Sequence, residues 1–394
     1  MPTSSHFSRK DFLRLTAAGL GALAAAPLLS ACEQADPTAV SRPDTPVPAS
    51  ITSVAAVETV APAASPTPLP TRAPSATPTL AFTPRPLAPL PDLVRRYPAV
   101  SSKVVQTHHA GVWSGKTLVP GALRQMVDAS LTQLTGLNDA KEAWAALFKP
   151  GERIAIKVNV FRNSLIWTHL PLVTAVTDGL IEAGIPAENI VIFDYQTTEL
   201  QTAAYPVNVD GPGVRVYGND EKDYEAAQTQ LPNKKKIRLS NILLDCDAII
   251  NMPVLKAHMM AGLTFALKNH YGSFYYPDVL HSGKMLDIAE LNDLPILRDR
   301  TRLVIGDALA ANLHYANRWP YWEEDWWGDS ILMSFDPVAH DSVGLQLLSR
   351  ALEADGGNPA SLQGMANPYL QYAAELGLGT NDPANMVLVE TSLK

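Results

Sequence analysis

Cysteine is nearly missing from this chain: 394 residues contain only Cys32 and Cys246. Two thiols exclude a four-thiolate zinc or iron–sulfur site, so no iron–sulfur cluster is expected. If Cys32 is consumed elsewhere, no intrachain disulfide is available either. Cys246, in LLDCDAII, reads as a small buried hydrophobe rather than a nucleophile. Positive charge is also short. Lys and Arg number 31 against 39 Asp and Glu, for a formal net charge of −8. With no basic stripe, nucleic acid is not an expected partner. The sequence lacks the GxSxG nucleophile elbow, the phosphate-binding P-loop, the dinucleotide GxGxxG and the HExxH zinc pair. Several common enzyme classes therefore leave no trace in the sequence.

The N-terminus reads as an address. A basic segment, Ser8–Arg14 (SRKDFLR), precedes an Ala/Leu-rich run from Leu15 to Leu29, and Leu29-Ser30-Ala31-Cys32 follows. Such a pattern is a secretory signal, too short and wrongly flanked for a permanent span. Small residues before Cys resemble a lipobox, with cleavage at residue 31 and a diacylglyceryl group on the Cys32 thiol. SRKDFLR resembles the twin-arginine translocation motif S-R-R-x-F-L-K, with Lys10 at the second arginine; the general secretory route is the alternative. The expectation is an exported lipoprotein anchored to the outer face of the cell membrane.

Fourteen of the 32 prolines fall between Pro37 and Pro91, mixed with Thr, Ser and Ala. That composition cannot bury enough apolar area to offset its ordering entropy. It predicts a disordered, extended stalk, a proline-rich linker. The expected organisation is a signal peptide at 1–31, a lipidated stalk at 32–92 and one domain at 93–394.

Within that domain, short β-branched runs alternate with segments of helical apolar spacing. Strands are expected at Lys103–Gln106, Arg153–Val158, Ile190–Phe193, Val214–Tyr217, Ala248–Ile250, Leu303–Ile305, Ile331–Met333 and Met386–Val389. Helices are expected at Gly121–Leu134, Leu170–Ala183 (with Thr168 as cap), Gly262–His270, Asp287–Asn292, Pro337–Leu352 and Pro368–Leu376. Asp336 followed by Pro337 is a helix start. This alternation predicts an α/β fold: a mainly parallel sheet with helices on both faces, in three layers.

Polar residues gather just after the predicted strands. Lys157 and Asn159 follow one, Asp194 another, Asn251, Lys256 and His258 a third, and Asp307 a fourth. Carboxyl ends of strands line the ligand crevice of open parallel sheets. The densest stretch, Asn251–Lys284, adds Lys268, Asn269, His270, His281 and Lys284. Lysines on an apolar helix are not ordinary core residues. Thr264 and Lys268, four apart, would share a helix face, and amides at the helix start near Gly262 would suit a small anionic ligand. The expected ligand-binding set is Lys157, Asn159, Asn251, Lys268, Asn269 and His281, with His258, His270 and Lys256 catalytic. Asp194 and Asp307 could hold a divalent metal. His108-His109 could join the same site. Asp341, inside a helix, needs a lysine partner or exposure to explain it. The run Trp319–Trp327 (WPYWEEDWW) reads as an aromatic loop, with Trp319, Trp322, Trp326 and Trp327 available to a protein partner.

Together these residues resemble the domain-of-unknown-function 362 family. The matching pieces are KPGERIAIKVN at Lys149–Asn159, IEAG before IVIFD, and DAIINMPVLKAHMMAGLTFALKNHYG at Asp247–Gly272. DIAELN, VIGDA, FDPVAHDSVG and the tail NPYLQYAAELGLGTND extend the match. The resemblance implies one α/β domain whose motifs form a common site, and no particular reaction. Some members carry ferredoxin-type cysteine clusters, which this chain lacks. Trp167 and His169 stand where relatives have a Thr/Ser-Pro turn. Three functions fit: an extracytoplasmic enzyme on a small anionic substrate or cofactor, a solute- or cofactor-binding lipoprotein, or an interaction module using the tryptophan loop.

Overall fold

The computed structural model describes residues 83–161, 166–314 and 324–394, all of which lie in the compact unit Ser75–Lys394. The signal segment, Cys32, most of the stalk, Trp319 and Trp322 lie outside the described residues.

The strands in chain order are β1 (Ser102–His109), the hairpin β2–β3 (Trp113–Ser114 and Thr117–Leu118), β4 (Ile154–Lys157), β5 (Ile190–Phe193) and β6 (Arg215–Val216). They continue with the hairpin β7–β8 (Thr229–Gln230 and Lys236–Ile237), β9 (Ala248–Asn251) and the hairpin β10–β11 (Lys256–His258 and Gly262–Thr264). The last are β12 (Thr301–Ala311), β13 (Trp326–Ser334) and β14 (Met386–Leu393). Eight of them form one sheet in the order β14-β1-β13-β12-β9-β4-β5-β6. Only β13 runs against the others, pairing antiparallel with both β1 and β12. All remaining neighbours are parallel.

Strand composition explains the layering. Parallel strands covered on both sides need apolar residues at every position, and β4 and β9 are buried throughout. Ile154, Ile156, Ile190, Ile192 and Ile250 face one core, against the helices Pro120–Thr135, Ala140–Leu147 and Leu170–Glu182. Ala155, Phe193 and Ile249 face the other, against Pro337–Ala354 and Ala360–Glu375. The sheet is therefore the middle of three layers. The helix Pro337–Ala354 starts as its sequence predicts: Asp336 Oδ1 accepts from the amides of Val338 and Ala339, both at 2.8 Å. Cys246 is buried, as its surroundings imply.

Other expectations change. The stretch read as one helix from Gly262 to His270 is instead strand β11 followed by one helical turn, Ala266–Asn269. Gly262 has φ +71°, and a Cβ there would overlap the carbonyl of Leu362. Close packing of the helix Ala360–Glu375 thus forces a turn where local spacing favours a helix. Pro368 lies inside that same helix rather than at its start. Thr168 does not cap Leu170–Glu182; its hydroxyl donates to the carbonyl of Met252 at 2.8 Å. Trp326 and Trp327 open β13 instead of lying in a loop. Arg85, within the expected stalk, pairs with Asp247 at 3.1 Å, and its N–H donates to the carbonyl of Leu244.

Gly306, in the middle of β12, has no room for a side chain. A Cβ would overlap both Phe265 and His340, whose rings stack at 4.3 Å. Gly306→Ala is expected to lower stability by about 1–3 kcal/mol, as overpacking of a filled core does. A shift of the urea midpoint to lower concentration with an unchanged slope checks this.

Candidate functional site

Parallel pairing sets Lys157, the last residue of β4, opposite Phe193 on β5 and Asn251 on β9. Asp194, the next residue after β5, then lies beside the Lys157 ammonium. Lys157 Nζ donates to Asp194 Oδ1 at 2.6 Å, to the carbonyl of Val158 at 2.6 Å and to Asn269 Oδ1 at 3.4 Å. The other carboxylate oxygen of Asp194 accepts from the Val160 amide at 2.7 Å. Burial pushes the Lys157 ammonium pKa down and the charge of Asp194 pulls it back up. Gly272 closes over the pair: a Cβ there would overlap Asp194 and sit 2.8 Å from Lys157 Nζ.

Three asparagines carry the network outward. Asn269 Nδ2 donates to Asn251 Oδ1 at 2.7 Å and to the carbonyl of Lys157 at 3.1 Å. Asn251 Nδ2 donates to the carbonyl of Ala266 at 2.8 Å. Asn159 Nδ2 donates to Asn269 Oδ1 at 3.3 Å, and its own Oδ1 accepts from Lys256 Nζ at 2.8 Å. One hydrogen-bonded chain therefore joins Asp194, Lys157, Asn269, Asn251, Asn159 and Lys256, drawn from residues far apart in sequence.

The hairpin β10–β11 adds the second part. Side chains alternate along a strand, so Lys256 and His258 project to one side of β10 while Ala257 enters the core. Burial, relieved only partly by Asp194 and reinforced by Lys157, pushes the Lys256 ammonium down to about 7. Lys268, buried on the helical turn, has the His281 Nε2 at 3.3 Å and the Tyr271 ring centroid at 4.3 Å. Its ammonium is likewise pushed down to about 7, by burial first and then by Lys256. His258 and His281 are half-buried, with ring centroids 6.2 Å apart.

These two imidazoles have opposite tautomers. His281 Nδ1 donates to the carbonyl of Pro277 at 3.1 Å, since a carbonyl can only accept. Its Nε2 is then a lone-pair acceptor in the neutral ring, and burial with the nearby Lys268 holds the ring neutral, its pKa about 3. His258 Nδ1 accepts from the amides of Met260 and Ala261, at 3.1 and 3.2 Å. The proton of neutral His258 is therefore on Nε2. Burial and the Lys268 charge lower its pKa well below the usual histidine value.

The family model described as "Domain of unknown function (DUF362)" matches residues 154–346, a span that begins at β4 and contains every residue of this network. Residues 154–346 belong to the DUF362 family. Comparison with curated proteins finds no match. Among solved structures, the chain is similar to the lactate racemase apoprotein from Thermoanaerobacterium thermosaccharolyticum at 12% identity. That match covers 64% of this chain and 58% of that one, with a TM-score of 0.37. A second similar structure, a protein from Thermotoga maritima, also shows 12% identity, with 62% and 60% coverage and a TM-score of 0.32. The chain thus spans about three-fifths of the length of either structure.

A third group of the DUF362 domain was not among the candidate site residues. His169 Nδ1 lies 2.8 Å from Asp307 Oδ2, and its Nε2 lies 3.1 Å from Glu324 Oε1. The His169 amide also donates to Asp307 Oδ2, at 2.8 Å. Burial alone would lower the His169 pKa, but the charge and hydrogen bond of Asp307, with those of Glu324, outweigh it and raise it to about 10. Thr168 ties this group to the first, because its hydroxyl accepts from the Asn159 amide at 2.9 Å. In the sequence, His169 stands out only as a departure from the family's turn. No local pattern announces its two carboxylate partners, 138 and 155 residues away.

Several expected roles change. Asp194 and Asp307 each take a cation of the protein itself, Lys157 and His169. Among the described residues no group of three or more His, Cys, Asp or Glu could hold a metal ion. His270 is wholly enclosed, with Nδ1 3.1 Å from Ser273 Oγ, and burial lowers its pKa to about 3. The ring does not open to solvent in this structure. Thr264 and Lys268 do not share a helix face, since Thr264 is in β11 opposite Lys256. The amides that open the helical turn are not free for a ligand. Asp341 accepts from Ala266 N at 2.7 Å and Leu267 N at 2.9 Å, so this residue is neither exposed nor paired with lysine. Lys284 is exposed, and His109 turns to Gln125 and the Gly111 amide.

Removing one member of a buried ion pair leaves the other charge uncompensated. Lys157→Met is therefore expected to destabilise the fold by about 3–5 kcal/mol, and Lys157→Met with Asp194→Leu by clearly less, as read from denaturant unfolding. The His169 ring should stay protonated at pH 8 and titrate near 10. Its raised pKa stabilises the fold fully below the unfolded value, and that contribution is lost as pH rises through about 10. Imidazole chemical shifts followed against pH check this, and Asp307→Asn should bring the titration down toward the ordinary range.

Proposed function

We propose that this chain is an exported protein held at the outer face of the membrane by a lipid on Cys32. On this reading its DUF362 domain is an enzyme acting on a small anionic substrate or cofactor at the carboxyl ends of β4, β5 and β9. One observation carries the second part. Three buried lysines, Lys157, Lys256 and Lys268, gather at one end of the sheet beside two half-buried imidazoles.

Concentrating positive charge in a poorly solvated place is unfavourable, and that is why Lys256 and Lys268 hold their protons weakly. An anion entering the site would reverse both causes at once, by supplying opposite charge and charge-assisted hydrogen bonds. Recognition would rest on side chains, because Asp341 already occupies the amides of the helical turn. His281 Nε2 supplies a base and His258 Nε2–H an acid, with Lys268 between ammonium and amine near neutral pH. Groups with opposed proton states in one place suit proton transfer better than simple capture.

Calorimetric titration of the full chain in detergent with oxalate, malonate and phosphate tests the site. At least one should bind with one-to-one stoichiometry at pH 6 and more weakly as pH rises through about 7, where Lys256 and Lys268 lose charge. Lys256→Met should weaken it at least about tenfold, the loss of one charged hydrogen bond. No binding by any of the three anions would end this reading. In the same preparations Cys32→Ser should move the protein from the membrane to the soluble fraction.

A further inference from the structure

We propose that Lys268 is a nucleophilic amine that forms an imine with a small carbonyl compound bearing an acidic group, of the 2-oxo acid class. This deepens the anionic-ligand reading and rests on it for the acidic group, while the amine chemistry stands on separate geometry.

Lys268 is buried, and among the described residues no carboxylate lies within ion-pair distance. Its near neighbours are an imidazole and an aromatic face. The imidazole is set as an acceptor: Pro277 holds the His281 proton on Nδ1, so Nε2 turns its lone pair to Lys268 Nζ at 3.3 Å. An activated amine has this form, with a base within reach of the proton that must leave. Lys256 opposes the Lys268 charge, Asp278 and the Tyr271 ring favour it, and His281 and His258 face it as neutral rings. Burial and Lys256 prevail, and the ammonium loses its proton near 7. Such a lysine holds free amine at neutral pH, where a surface lysine holds almost none.

The step balances without a further reactant. The Nζ lone pair forms a bond to the carbonyl carbon, and the C=O π electrons move to oxygen. His281 Nε2 takes a proton from nitrogen, and the oxygen gains one from His258 Nε2–H or solvent. The proton held on His281 then passes to the hydroxyl, the C–O bond breaks and water leaves as the nitrogen lone pair forms the C=N bond. The remaining N–H proton returns to His258 or solvent, so that both histidines regain their starting tautomers. Lys256, two residues before His258 on the same side of β10, is the cation for the acid group.

Glyoxylate with cyanoborohydride is the probe, applied to the full chain in detergent and read by peptide mass mapping. The expected result is one stable adduct, on Lys268, formed on the order of a thousandfold faster at pH 7 than on surface lysines, as the difference in free amine implies. Its rate should rise with pH and level off just above about 7. Lys268→Arg should abolish this fast adduct. Labelling confined to surface lysines, or a Lys268 rate that keeps rising to pH 10, overturns the proposal on the wild-type chain alone. Acetaldehyde, which has no acid group, separates the two readings. Fast trapping of acetaldehyde on Lys268 without any anion binding keeps the amine and removes the anionic site. Oxalate binding with no fast trapping of either carbonyl keeps the site and removes the amine.

Discussion

The pairing of Lys157 with Asp194 at the end of the sheet is the constraint on which the rest depends. A lysine wholly removed from water is tolerable only where every N–H has an acceptor and one acceptor carries charge. Here the three acceptors are a carboxylate, a carbonyl and the Asn269 amide oxygen. Because β4 and β5 are parallel neighbours, both charged residues leave the sheet at the same level. The pair then decides where Asn269 must sit, and Asn269 decides the orientation of Asn251 and Asn159. Gly272 is bound into the same arrangement, since no larger residue fits against the two charges.

Charge around this end of the sheet is divided rather than mixed. The carboxylates Asp307 and Glu324 enclose His169, and Asp341 caps the helical turn. Lys256 and Lys268 lie in the intervening region, and Lys268 meets imidazole and aromatic ring instead of an acid. Each carboxylate thereby stabilises a particular loop or helix start and contributes little to neutralising Lys268. The depressed proton affinity of Lys256 and Lys268 is the physical result, and it gives this end of the DUF362 domain its chemical character. A depression lined by Arg153, Lys222, Asp245 and Cys246, at the amino end of β4, contains none of these lysines and histidines.

Much of the fold was legible because its strands are buried on both faces. Runs such as RIAIKV and DAIIN admit no other economical placement, and Asp336-Pro337 marks a helix start through local hydrogen bonding alone. The segment Gly262–His270 was not legible. Its apolar spacing suits a helix, and the turn at Gly262 is imposed by a backbone carbonyl a hundred residues later. The site was legible in part for the same reason. Residues directly following parallel strands must emerge together, so Lys157, Asn159, Asp194, Asn251 and Lys256 could be grouped before any coordinates. His169 could not, because it precedes a helix and its partners come from β12 and from the segment just before β13.

By itself the sequence determined the layered α/β class, the strand ends where polar residues collect, and the family of residues 154–346, since all three follow from local composition and order. Tertiary structure alone decided which charge meets which: that Asp194 neutralises Lys157, that Asp307 holds His169, that Asp341 seals the helical turn, and that Lys268 faces His281. The physical reason is range. Strand and helix patterns express neighbours a few residues apart, whereas a proton's affinity depends on burial and on charges brought close by the whole chain.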